Sequence, residues 1–368
     1  MKRFMLICWL CIWLTGCALN PLVALSVPTH PLYVIAGQNA VPGYGSAAIS
    51  LVDRDTWSLI GTRSFQTSYV HQATSDGQSI WFGLAGDVNN DAAQAVQVDP
   101  ALAAHVQFET CVEPTGIYHF TEFALVVCRQ DGLKGKIQQI QTRTGQLMKE
   151  VEVTTDQGDM YVFNSFVYQN ELYVNGGSIH SAVTDPSALY VYDVHTLDHV
   201  RNVELPRVIG VSHAIAHDDG LLLLNFSSHY QESMRQAFHD VYFYDATKNS
   251  VTPLPLIQRS PMQGVILDDY LYTVHFSAPF ASEQPTQAIQ IFKTNLHTWQ
   301  QSHWNYAPHD WYAIGDMTTI DGRIFLTKYH SDDKHADGVY ELNIDTGELI
   351  QRIHIPDASL LVDMLDTP

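Results

Sequence analysis

The chain has 368 residues, of which 46% are apolar, and a formal net charge of −20. That length supplies one large or two ordinary domains with a sizeable core, and no stretch has the composition of a disordered region. The acidic balance argues against nucleic acid and anionic lipid surfaces as partners.

The first segment is "MKRFMLICWLCIWLTGC" (1–17). Lys2 and Arg3 form a positive start, and Phe4–Leu14 is an apolar run too short to span a bilayer comfortably. It ends in Leu14-Thr15-Gly16-Cys17, which resembles the bacterial lipobox. That resemblance implies cleavage before Cys17, lipidation of its thiol and an extracytoplasmic, membrane-anchored protein. An ordinary secretory signal with an accidental cysteine is the alternative. The expected organisation is a signal peptide over 1–17, a short tether over 18–29 and one folded domain over 30–368. No later segment has 18 consecutive apolar residues, so the expected contact with the membrane is through lipid alone. Cys8 and Cys11 would leave with the signal. Cys111 and Cys128 would remain, and two cysteines outside the cytosol predict a disulfide.

From residue 30 onward one pattern recurs. Apolar runs such as "HPLYVIAG" (30–37), "DGQSIWFG" (76–83), "EFALVVC" (122–128), "NELYVNG" (170–176) and "DGRIFLT" (321–327) are each followed by a hairpin pattern. Those hairpins begin near 47, 94, 136, 187, 240, 288 and 338, as in "SALYVYDVHTLDHVRNVEL" and "GVYELNIDTGELIQRIHI". β-Branched and aromatic runs flanking a turn of Asp, Asn, Thr, Lys or Gly are hairpin signals. Six units have a further short run in front: "YVHQAT", "GIYHF", "YVFNSFVY", "VSHAIA", "MQGVIL" and "AIGDMTT". The first unit lacks it, and "ASLLVDML" (358–365) supplies it from the other end of the chain. Units of four strands about 40–50 residues apart are the signature of a propeller. The expected fold is therefore an all-β, seven-bladed β-propeller of four-stranded antiparallel blades. The C-terminal strand would pair with the N-terminal blade and close the ring. Two β-sandwiches would not explain an unbroken period.

The hairpins "LYVYDVHTLDHVRNVEL" and "VYELNIDTGELIQRIHI" resemble the YVTN-type, quinoprotein-like seven-bladed propellers of bacteria. The resemblance covers nearly the whole chain after residue 30, as a pattern of degenerate motifs. Kelch-type Gly-Gly pairs occur once (Gly176-Gly177), Trp57 and Trp299 stand near the kelch Trp position, and Trp-Asp pairs are missing. Members of the YVTN-like group include binding proteins and enzyme subunits, so the resemblance leaves function open.

With strands lettered A to D from the axis outward, the A–B and C–D turns are short and share one face. The B–C loops are long on the other: 37–47, 83–95, 175–188, 226–240, 275–288 and 328–338. Length spent on one face predicts a binding surface. That face gathers Tyr230, Trp311, His275 and the cluster His330, Asp332 and His335. Histidine with carboxylate is the donor set of a Zn or Cu site, but this spacing matches no defined motif, and no cofactor is predicted. The axial channel is the second candidate site. Alignment of the A strands places Gln72, Asn164, His213, Gln263, Asp316 and Asp363 at one depth, with His119 close by. Such residues could bind a small polar ligand or hold ordered water.

Two functions follow. The first is a recognition or scaffold module binding a protein, peptide or glycan through the long-loop face. The second is an enzyme, a lyase or metal-assisted hydrolase, with His213 as base and Asp316 as its partner; Gly-x-Ser-x-Gly and His-Glu-x-x-His motifs are both missing. An accessory subunit of an extracytoplasmic redox complex is a further possibility, by family analogy alone.

Overall fold

The computed structural model describes residues 31–36, 46–66, 70–84, 93–111, 113–130, 134–153, 161–177, 188–205, 211–225, 241–254, 261–275, 289–306, 313–329 and 336–363. The expected signal and tether (1–29), and with them Cys17, lie outside the described residues, as do nearly all of the long B–C loops.

The described residues form seven four-stranded antiparallel sheets. Their innermost strands are Ala358–Asp363 in blade 1, then Val70–Ser75, Pro114–His119, Tyr161–Tyr168, Val211–His217, Pro261–Leu267 and Ala313–Ile320 in blades 2 to 7. Each innermost strand touches those of both neighbouring blades, and the round closes from blade 7 through blade 1 to blade 2. The fold is a seven-bladed β-propeller.

Two-residue periodicity explains why the blades stack. In Leu32–Ala36, the second strand of blade 1, Tyr33 and Ile35 join a cluster with Ile80, Phe82 and Val96 of blade 2. Leu32, Val34 and Ala36 join Phe325 and Val339 of blade 7. Successive side chains point to opposite faces, so each strand has a neighbour on both sides and reads as a continuous apolar run. Burying one such side chain contributes about 1.5–3 kcal/mol.

The C–D turns explain the recurring Asp/Asn-x-x-Thr. Asp53 Oδ1 accepts from the main-chain N–H of Asp55 and Thr56 at 3.1 and 2.7 Å. Asp193, Asp245, Asn295 and Asn343 do the same in their turns. The side chain stands in for a main-chain acceptor and seeds the turn. The residue after the Thr is left-handed: Gly145 at φ 69° and Gly347 at φ 76°, but also Trp57 at 56°, Leu197 at 53° and Trp299 at 57°. A bulky residue there is strained. Trp57 is held by packing between blades, its ring centroid 4.9 Å from that of Phe325. Trp57 and Trp299 thus belong to turns rather than to a kelch pattern.

The ring closes as expected. The C-terminal strand pairs with Leu32–Ala36, from Leu32 opposite Asp363 to Ala36 opposite Ala358. Cys111 and Cys128 are disulfide-bonded. Cys128 lies opposite Pro114, the first residue of blade 3's innermost strand, so the bridge lies at the loop-bearing end of that blade.

Candidate functional site

A device that no motif announces repeats in all seven innermost strands. Just after its first or second residue, each carries a bulge against the second strand. The unmatched residues are Thr115, Phe163, Ser212, Met262 and Ser359 in blades 3, 4, 5, 6 and 1. In blade 2, His71 and Gln72 oppose one residue, and in blade 7 Gly315 and Asp316 do. A bulge bends the strand and re-aims the next side chain. Here it acts close to the face that carries the B–C loops. The residues following the bulge are Gln72, Gly116, Asn164, His213, Gln263, Asp316 and Leu360.

Five of the six aligned polar residues therefore do share one depth. Asp363 does not: Leu360 occupies its place, and Asp363 lies three residues further on, at the short-turn end opposite Leu32. There Arg54 Nη1 donates to Asp363 Oδ1 at 3.1 Å, and Arg54 Nη2 lies 2.7 Å from Asp321 Oδ1. Asp363 thus joins an ion-paired clasp between the closing strand, a turn of blade 1 and a turn of blade 7.

All six residues line one cavity of about 390 Å³ on the axis, within the roughly 300–1,000 Å³ of small-molecule pockets. His119 is not in its lining. Its ring stacks on Trp81 with centroids 5.1 Å apart and lies 3.8 Å from Asp76 Oδ2, and burial lowers its pKa. His275 is likewise inward-facing, bonded to Thr273 Oγ1 at 2.7 Å. Tyr230, Trp311, His330, Asp332 and His335 lie outside the described residues. Among the described residues no three His, Cys, Asp or Glu side chains gather as a metal site.

Most of the polar ring is spent on joining blades. Tyr118 OH meets Ser165 Oγ at 2.9 Å, linking blades 3 and 4. Asn164 Nδ2 donates to Ser212 O at 2.8 Å, and Ser212 Oγ to Pro261 O at 3.2 Å. Gln263 Nε2 reaches Gly315 O at 3.4 Å. Asp316 accepts main-chain N–H groups at both oxygens, from Met317 at 2.9 Å and from Leu361 of blade 1 at 3.2 Å. The belt runs from blade 3 round to blade 1. Sequence inspection missed Tyr118, Ser165 and Ser212, because small hydroxyls on apolar strands carry no signal of their own.

Three groups escape the belt. The buried Oε1 atoms of Gln72 and Gln263 have no hydrogen-bond partner, although the Gln72 side chain also bears on the Tyr118 hydroxyl. His213 has none among the described residues. It sits deep in the ring, with part of its surface open to the cavity, and desolvation pushes its pKa down to about 4. At neutral pH it is an uncharged imidazole. His213 and Asp316 are on non-adjacent blades with no bond or ion pair between them, so the expected base-and-partner pair is not formed.

No protein-family model and no curated protein match the chain. Several solved structures do match in shape. A periplasmic gluconolactonase of Pseudomonas aeruginosa is 14% identical with a TM-score of 0.62, over 91% of this chain and 98% of the other. A Bacteroides fragilis protein assigned as a 6-phosphogluconolactonase is 11% identical with a TM-score of 0.62, over 92% and 99%. An apocarotenoid oxygenase of Synechocystis is 12% identical with a TM-score of 0.57, over 91% and 92%. The likeness is one of fold, and the neighbours' differing activities underline that function resides in the site.

Proposed function

We propose that the protein is an extracytoplasmic recognition module, lipid-anchored through Cys17. It binds a protein, peptide or glycan partner where the channel opens beneath the B–C loops. The observation that carries this is His213, which lines the cavity and has no hydrogen-bond partner among the described residues. A polar side chain that faces a cavity without a protein partner is a group that a ligand can satisfy. The disulfide supports the compartment, since such bridges persist where the surroundings are oxidising.

The enzyme reading is weaker. The base-and-partner pair expected of His213 and Asp316 is not formed, so this reading has no arrangement of residues to support it. The lactonase names of the structural neighbours do not supply one.

The test is capture of partners from envelope extracts by the full chain and by variants with the 226–240, 276–288 and 330–335 loops shortened. Loss of the captured partner supports the reading; survival of every partner through all three deletions sinks it. For the anchor, Cys17→Ser is expected to move the protein into the soluble fraction, and continued membrane retention counts against lipidation.

A further inference from the structure

The cavity joins an open acceptor to a carboxylate, beneath an acidic rim. We propose that it receives a protonated primary amine on an alkyl stem, held between the Asp316 carboxylate and the His213 imidazole. This rests on the reading of the loop-bearing face as the binding face and names the group that enters it.

His213 is the acceptor. Three buried side-chain atoms lack a partner, Tyr33 OH, Gln72 Oε1 and Gln263 Oε1, and all three are closed to any molecule in the cavity. The ring nitrogens of His213 have no partner among the described residues either, yet they are not among the closed atoms. They keep surface of their own on the cavity that His213 lines. Desolvation holds the ring neutral near neutral pH, and a neutral imidazole has one acceptor nitrogen. An ammonium group has three N–H donors and no acceptor, so it can bond that nitrogen.

Asp316 supplies the opposite charge. It lines the same cavity from blade 7, with blade 6 between it and His213. Its two main-chain N–H partners favour the ionised form and carry no net charge to cancel it. The other carboxylate of the described lining, Asp363, is ion-paired to Arg54 at 3.0 Å. The approach is acidic as well. Between residues 37 and 335, the B–C and D–A connectors outside the described residues carry twelve Asp or Glu, against Arg207, Arg235, Arg259 and Lys334. An excess of one sign around an opening draws the other sign towards it. A charge that leaves water needs an opposite charge to meet it, and Asp316 meets a cation. Phe166 also lines the cavity, its ring stacked on Tyr173 with centroids 5.2 Å apart. Such a wall suits the methylene stem of an alkylamine, whose charged head lies beyond it. A metal ion is served less well. It takes several ligands converging at one point, and among the described residues no three His, Cys, Asp or Glu side chains gather.

The experiment titrates the purified full chain with cadaverine and with a lysine-containing peptide, each beside its N-acetylated counterpart, and with the diol that matches cadaverine. Calorimetry and saturation-transfer NMR read binding at physiological salt, which screens attraction to the outer surface. The amines are expected to bind, with the acetylated and diol counterparts at least about tenfold weaker. His213→Leu removes a ring that bonds to nothing among the described residues. It is expected to keep the melting temperature while weakening the amine about tenfold. Asp316→Asn removes the charge and is expected to abolish binding. Asp316 also holds Leu361 of the closing strand, so its melting curve is recorded in parallel, and His213→Leu carries the test if that variant loosens the ring. Binding of the peptide without cadaverine assigns the amine to a partner's lysine, binding of cadaverine assigns it to a free ligand, and either supports the proposal. Three results overturn it: neither amine binds the folded chain at that salt, the acetylated or diol counterparts bind as well, or His213→Leu binds unchanged, which would mean adsorption to an acidic surface. If the amines fail while loop shortening still abolishes partner capture, the ligand class is wrong and the loop-face reading stands.

Discussion

The two ends of the channel are built from the same seven strands and do opposite things with their polar groups. At the short-turn end, Arg54 meets Asp363 and Asp321, and the charges are matched within the protein. At the bulge end the side chains are uncharged apart from Asp316. They bond round the ring and leave His213 and two amide oxygens over. One end is complete and serves to hold the ring shut. The other leaves polar groups without partners, and His213 among them lines the cavity.

The largest test of this contrast is removal of the closing strand. Truncation before Ala358 strips blade 1 of its innermost strand and exposes the Leu32–Ala36 edge. We expect loss of the cooperative thermal transition by circular dichroism; a truncated chain that still melts sharply would mean that closure is not what holds the ring. Arg54→Ala comes next. It leaves the nearly inaccessible Asp363 carboxylate without its arginine, and a broken buried pair costs about 3–5 kcal/mol. Chemical denaturation measures it, and adding Asp363→Asn should recover part of the loss.

At the other end, replacing Cys111 and Cys128 together by Ser should cost about 3 kcal/mol for a bridge spanning 17 residues. Reductant should lower the wild-type denaturation midpoint to the variant's, and should leave the variant unmoved. The most gradual effect is a pH slope. His213 titrates at about 4 in the fold, against its ordinary 6.5 in the unfolded chain. Between those values the unfolded chain binds a proton that the folded chain does not. Stability therefore falls as pH drops from 6.5 towards 4, by up to ~1.4 kcal/mol per unit. His213→Gln should flatten that slope in urea titrations at successive pH values. An unchanged slope in the variant would mean that other groups cause it.

Much of the fold was legible because blade strands are buried on both faces. Runs such as "LYVIA" and "LLLL" stand out against turns that need Asp, Asn or Gly. The closing strand was legible for the same reason: "ASLLVDML" has the pattern of an innermost strand, and the first unit lacks one. The polar ring was legible at Gln72, Asn164, His213, Gln263 and Asp316, since five strands each place a long polar or charged side chain four or five positions ahead of a turn. Asp363 was misplaced by that same count. The closing strand ends where the chain leaves the ring, so it has no A–B turn to count from. His119 was misjudged because a histidine on an inner strand looks the same whether it faces the axis or, as here, stacks on Trp81 between strands.

Sequence alone determined the number of blades, the order of strands, the head-to-tail closure and the pairing of Cys111 with Cys128. All of these follow from local periodicity and from which residues remain to be paired. Only the tertiary structure decided which polar atoms are spent and which are spare. A bulge shifts the register by one residue in each innermost strand, and a hydrogen bond between blades joins residues about 50 positions apart. Neither leaves a trace in composition or spacing, because both depend on where the neighbouring blade's main chain comes to rest.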